Sequence, residues 1–356
     1  MAEALAAPET RSGGPGRGAR EPTHFAALDL GTNNCRLLIA TPTARGFRIV
    51  DAYSRIVRLG EGLSQSGRLS DAAMERALAA LRICADKISR RGPIRVRAIA
   101  TQACRTASNG AEFLSLVNDR TGLKLQVISP QEEARLSVAG CVNLIDRDAD
   151  AALVLDVGGG STELSWLDLR DWRGERGRPP IAAWLSIPIG VVTLAEWFPE
   201  GETGDLDWFR RMVEAVKAPI AAFAEAEPLR PAFAEGRGHL IGTSGAITSL
   251  AGLHLGLARY ERSRVDGLWM TRTECETVAD RLATLSTRER AAQPCIGPDR
   301  ADLVLAGAAI LQAVQEVWPC ERVRVADRGL REGVLLSLMS QGRRRGRRRR
   351  RPVAAA

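Results

Sequence analysis

Two stretches of the chain repeat one order of apolar and polar positions. Ala27-Leu28-Asp29-Leu30-Gly31-Thr32-Asn33-Asn34 and Val154-Leu155-Asp156-Val157-Gly158-Gly159-Gly160-Ser161-Thr162-Glu163 each run apolar to a single aspartate, break at a turn of small, hydroxyl or amide residues, and resume apolar. An apolar run, a Gly-rich turn and a second apolar run predict a β-hairpin. One such copy is an ordinary hairpin. Two copies, each with its aspartate one residue before the end of the first strand, predict two related domains.

The remaining periodicity alternates between strand and helix. A strand near 46–55 precedes a helix that opens at Ser70-Asp71, runs to about Ser89 and is stopped by Gly92-Pro93. A strand over Ile94–Ala100, a helix start within 101–105, a helix capped by Asn109 and a strand over 123–128 follow. Ser129-Pro130-Gln131-Glu132 reads as a capping box with proline at the first helical position. The second half repeats the logic. After the hairpin at 151–167 come a polar loop at 170–180, a strand at 181–188, a helix at about 205–223, and a strand that turns at Gly242-Thr243-Ser244-Gly245 into a helix N-terminus. A helix at about 300–317, a strand at 323–326 and a turn and helix over 327–333 close the pattern. The expected fold class is α/β, with domains at 23–135 and 136–341 facing one cleft and the last helix packing back on the first domain.

Composition narrows the class. The 356 residues, 45% hydrophobic, suffice for a core in each of two domains. No apolar run reaches the roughly 20 residues of a bilayer span; 246–258 and 303–314 read as core helices. Residues 1–22 lack the apolar centre of a signal peptide and read as a disordered leader, so a cytoplasmic protein is expected. Seven cysteines without a C-x-x-C pair fit reduced thiols, and His24, His239 and His254 have no spacing that would build a metal site. The net charge of +8 is local: eight arginines stand within 343–351, and without them the chain is neutral. Residues 342–356 read as a disordered Arg-rich tail, either a solvated extension or a weak site for polyanions such as RNA.

The repeated turns carry the candidate chemistry. Glycines let main-chain N–H groups come close to an anion, and a neighbouring carboxylate can hold a hydrated Mg²⁺ against phosphate oxygens. The turn at Gly242 to Gly245 offers a third phosphate site at a helix N-terminus. In the helix after Ser129, Glu132 is explained as the cap partner, while Glu133 points about 100° away and is left over. It is either a first-turn acid favoured by the helix dipole or a catalytic group.

These residues resemble the exopolyphosphatase and guanosine pentaphosphate phosphatase family of the actin and sugar-kinase superfamily, over about residues 23–340. Ala27 to Asn33, Asp156 to Glu163 and Gly242 to Gly245 look like its three phosphate motifs, Glu132 to Leu136 and Thr101 to Arg105 like the segments bearing a catalytic glutamate and an active-site arginine, and Gly329 to Gly333 like its closing motif. Thr32 stands where Ser is common and Cys35 where an aromatic is frequent. Long members continue into a helical region with His-Asp metal chemistry, whereas this chain reaches an arginine run with no histidine beyond His254.

The resemblance implies an actin-like (ribonuclease H-like) fold, a homodimer, and hydrolysis of a terminal phosphoanhydride. Glu133 would be the general base and Arg105 a donor to the transferring group. Gly31, Thr32, Asn33, Gly158, Gly159, Gly160, Ser161, Thr162, Gly242, Ser244 and Gly245 would bind phosphate. Asp156, Glu163 and Asp29 would place Mg²⁺ or Mn²⁺. Inorganic polyphosphate is the expected substrate; guanosine pentaphosphate, in the stringent response, and a non-hydrolytic nucleotide-binding regulator stay open as alternatives.

Overall fold

The computed structural model describes residues 24–349 except 45, 93, 173, 175–178 and 201–205, with side chains described as far as 341. The expected leader, the end of the arginine run and part of the polar loop at 170–180 lie outside the described residues.

Each repeated stretch is a hairpin at the centre of its own sheet. β1 (His24–Leu30), β2 (Asn34–Thr43), β3 (Gly46–Ile56), β4 (Ile94–Ala100) and β5 (Leu125–Val127) form the order β3-β2-β1-β4-β5. β6 (Ala151–Val157), β7 (Thr162–Asp168), β8 (Ile181–Ile187), β9 (Gly238–Thr243), β10 (Trp269–Thr271) and β11 (Arg322–Ala326) form β10-β11-β9-β6-β7-β8. In both, the first hairpin strand pairs antiparallel with the second and parallel with a later strand, β1 with β4 and β6 with β9. β1 and β6 read as nearly unbroken apolar runs because both their faces are covered.

On one face of the first sheet Ala26, Leu28 and Leu30 pack with Leu78, Leu81 and Phe113 of the helices Asp71–Ser89 and Gly110–Thr121. On the other, Phe25, Ala27 and Ile99 meet Leu136 of the helix Pro130–Cys141 and Val334, Leu335, Leu338 and Met339 of the last helix, Leu330–Arg349. Val138 and Cys141 of the Pro130 helix reach the second sheet, against Ala152, Val154 and Ile241. That helix is therefore wedged between the two sheets. It crosses the last helix at backbone contact: a Cβ on Gly140 would lie 1.9 Å from the Gly329 carbonyl oxygen, and one on Gly333 1.9 Å from that of Leu136. The second sheet's main core surrounds Trp166 and Trp318, whose ring centroids are 5.3 Å apart.

Local signals were obeyed unevenly. Ser70 and Ser129 cap their helices, accepting from the Ala73 and Glu132 amides. Asn109 stands at its N-cap, yet its side chain bonds both the amide and carbonyl of Leu69 instead. The expected capping box at Ser129 is half made, because the Glu132 carboxylate turns to Arg97. A helix at Val191–Trp197 went unforeseen, since its Val-Val-Thr opening carries strand propensity. The last helix does not end near 341 but continues to Arg349, so 342–349, expected as disordered tail, is helical: arginine is a good helix former, and extending a helix avoids the nucleation cost. All seven cysteines are free and buried. No helix among the described residues is long and apolar enough to cross a membrane.

Candidate active site

The two hairpin turns face each other. In the first, the Gly31 amide donates to Asn34 O at 2.9 Å; Thr32 O accepts from Gly60 N at 2.9 Å, and Asn33 O from Val57 N at 2.8 Å. In the second, Gly158 N donates to Ser161 O at 2.9 Å, while the Gly158 and Gly159 carbonyls accept from Val191 N at 3.0 Å and Val192 N at 2.8 Å. With the carbonyls engaged, the amides of Thr32, Asn33, Gly159 and Gly160 make none of the turn and loop hydrogen bonds among the described residues. The turns also abut. A Cβ on Gly159 would lie 3.0 Å from the Asn33 nitrogen, and one on Gly160 2.7 Å from Thr32 Oγ1.

Between them opens a cavity of about 520 Å³. Asp29, Gly31, Thr32, Asn33, Glu133, Asp156, Gly158, Gly159, Gly160, Ser161, Glu163, Ser244 and Gly245 all line it. Three expected site residues do not. The Thr162 hydroxyl is buried and donates to Ile189 O at 2.7 Å; Gly242 lies inside β9 against Ile247; and Arg105 stands behind Glu133. The third turn is strained at Ser244, whose φ of 149° suits glycine. Its hydroxyl accepts from Ile247 N at 3.2 Å, and the helix Gly245–His254 presents its N-terminus to the cavity.

Helical geometry separates the two glutamates as expected. Glu132 faces outward to Arg97, and Glu133 is 7% exposed, pointing inward. Arg105 Nη1 holds Glu133 Oε2 at 3.2 Å and Ile128 O at 2.8 Å, and its Nη2 holds Gln102 Oε1. Burial, then the nearby Glu163 carboxylate, pushes the Glu133 carboxyl well above its ordinary range, against the pull of Arg105. Burial raises Glu163 to about 7, with Asp156 adding to the shift, and it raises Asp29 to about 6. Asp156 is also raised by burial, opposed first by the Ser137 hydroxyl that donates to its Oδ2.

Such a crowd of buried carboxyls suits a hard cation, which would let all of them ionise. Asp29 Oδ1 is buried without a hydrogen-bond partner, and Asp156 and Glu163 are a directly opposed cross-strand pair. Among the described residues no three acids close a metal cage by themselves.

Sequence reasoning passed over the cationic side. Arg36 and Arg300 line the cavity, as does Arg331 of the closing motif, to which no role had been given. A Cβ on Gly245 would lie 3.6 Å from Arg36 Nη2 and 3.7 Å from Arg300 Cζ, so two guanidiniums from different lobes meet at the third turn. Burial lowers Arg36 to about 10, with Arg331 adding to the shift and Asp29 resisting it. The signal was present: Arg36 is the one charged residue in the apolar part of β2, and the register sets it opposite Asp29.

Two α/β lobes, each built on such a hairpin, with the turns facing one cavity, are the actin-like fold. Residues 38–342 match the Ppx/GppA phosphatase family, and the chain belongs to that family. Exopolyphosphatase 2 of Mycobacterium tuberculosis is 29% identical over 329 residues, 89% of this chain and 98% of that protein. The crystal structure of the Aquifex aeolicus Ppx/GppA family member superposes with a TM-score of 0.73 at 27% identity, over 90% of this chain and 98% of that one. An exopolyphosphatase from Cytophaga hutchinsonii gives 0.79 at 22% identity, over 89% and 98%, a likeness of fold.

Proposed function

We propose that this chain removes the terminal phosphate of inorganic polyphosphate by attack of water, with Glu133 as general base. The observation that carries the reading is Glu133, buried and clamped by Arg105, facing two abutting glycine turns and the Asp156–Glu163 pair in one cavity. The turn amides and the Gly245 helix N-terminus would hold the terminal phosphoryl oxygens, with Arg36, Arg300 and Arg331 on the rest of the anion. Asp156 and Glu163, with Asp29 beside them, would hold Mg²⁺ or Mn²⁺, which supplies charge neutralisation at the phosphate oxygens. Glu133 would orient the water and take its proton, and Arg105 keeps the Glu133 carboxylate in place. Phosphoryl transfer through a loose in-line transition state asks for this kind of positioning and needs no covalent nucleophile.

A second reading, guanosine pentaphosphate, is favoured by one observation. The cavity lining also includes apolar side chains, Val191, Ala246, Ile296, Leu303 and Val304, and Tyr260, which suit a nucleoside. Phosphate release from the purified full chain, supplied in parallel with polyphosphates of several lengths, guanosine pentaphosphate and ATP in the presence of Mg²⁺, separates the two. Fastest turnover on a polyphosphate is the expected result, and release from guanosine pentaphosphate alone would overturn it.

A further inference from the structure

The loop after β3 holds the first phosphate turn from behind and also reaches across to the second lobe. Besides the bonds from Val57 and Gly60, Arg58 N donates to Asn33 O at 3.0 Å, and a Cβ on Gly60 would lie 2.2 Å from Thr32 Cγ2. Arg76 braces the loop, its Nε donating to Val57 O at 2.9 Å. On its outer side, Arg58 Nη1 and Nη2 take the two Asp302 oxygens at 2.8 and 3.1 Å, and Nη2 also reaches Asp299 O at 3.3 Å. Four residues on, Gly62 N donates to Glu196 Oε1 at 2.8 Å, and the Ser64 hydroxyl donates to Glu196 Oε2.

Both anchors are joined to the site on the far side. Glu196 lies in the helix Val191–Trp197, whose first amides hold the second phosphate turn. Asp302 directly precedes Leu303 and Val304, which line the cavity, and lies two residues after Arg300. Arg58 makes its forked contact at a φ of +46°, where an arginine is strained and where a purely local loop would carry glycine or asparagine.

We propose that loop 57–64 is a latch across the cleft, with Arg58 and Glu196 as positioning residues that hold the two phosphate turns at their working separation. This rests on the proposed hydrolysis for its kinetic consequence only. A latch sets what fraction of molecules is closed before substrate binds, so losing it raises KM about tenfold and leaves kcat at saturation nearly unchanged, the bound anion then supplying the closure. A residue that merely supports the fold would instead lower Tm and the active fraction.

The test uses the full chain with a short polyphosphate and Mg²⁺. Arg58→Gly relieves the strained φ while removing the ion pair; KM should rise with Tm equal to or above wild type. Glu196→Gln should raise KM less, because Gln can still accept from Gly62. Arg58→Asp should raise KM at least as far as Arg58→Gly, because it sets two carboxylates against each other, and adding Asp302→Arg should restore KM by remaking the pair with opposite polarity, aspartate tolerating the positive φ. Small-angle X-ray scattering without substrate should show a larger radius of gyration for Arg58→Gly than for wild type. That measurement needs no turnover and so stands even if polyphosphate proves not to be the substrate. An unchanged radius together with an unchanged KM, or no rescue by the reversed pair, would overturn the latch.

Discussion

The two hairpins superimpose in pattern and part in chemistry at one cross-strand position. In the first, Asp29 opposes Arg36; in the second, Asp156 opposes Glu163. The same backbone device therefore sets an acid opposite a base in one lobe and an acid opposite an acid in the other. Asp29 and Arg36 compensate one another and extend a cationic surface toward Arg300 and Arg331. Asp156 and Glu163 repel, and the proposed reading places the cation there. On the proposed reading, the fold divides the metal and the anion between its halves by changing one residue beside each turn.

The comparison breaks most sharply at the residue that serves neither hairpin. Glu133→Gln should lower kcat by about 10²- to 10⁴-fold while the chain stays folded, since general-base loss typically costs that much. Single-turnover kinetics alongside circular dichroism checks this, and retention of half the activity would exclude Glu133 as the base. Next in size, Glu163→Gln should flatten activity against Mg²⁺ concentration. Arg36→Gln should leave the metal titration in place and weaken kcat/KM on the polyanion by about tenfold or more, as expected for loss of a charged hydrogen bond. If the two variants share one phenotype, the division between the lobes is not real.

The pH dependence sharpens the same point. Asp29 and Glu163 titrate higher folded, near 6 and 7, than unfolded. Their contribution to stability is therefore complete below the unfolded values near 4 and is lost as pH rises through 6 and 7. Metal-free protein should lose Tm between about pH 4 and 7 relative to protein with Mg²⁺, and the protection by Mg²⁺ should grow over that window; differential scanning fluorimetry reads both. The smallest effect belongs outside the hairpins. Truncation after Gln341 should leave turnover of the shortest polyphosphate unchanged, and an assay in which activity falls would bring the arginine helix into the site.

What the sequence disclosed followed from how local each signal was. The hairpin turns, the Ser70 and Ser129 caps and the inward Glu133 rest on spacings of one to four residues, and these were legible. Asn109 and Glu132 had sound local partners and were drawn off by Leu69 and Arg97, 40 and 35 residues away. The cationic cluster was harder still. Arg36, Arg300 and Arg331 meet only after two sheets and a helix crossing have formed, and nothing in the spacing of three arginines in an arginine-rich chain announces it. Arg105 was named from its own segment, but its hold on Glu133 and on the Ile128 carbonyl joins residues 28 and 23 positions apart that no local spacing links.

The crossing of the Pro130 and Leu330 helices bears on how the chain is made. One face of the first sheet, bearing Phe25, Ala27 and Ile99, is finished only by Val334, Leu335, Leu338 and Met339 from the far end of the chain. On the ribosome, Phe25 emerges about 300 residues before those partners, on the order of 15 to 60 seconds at typical synthesis rates. For that interval the lobe that begins the chain carries an apolar sheet face that only the Leu136 helix can cover, and the lobe that follows it completes its own core first.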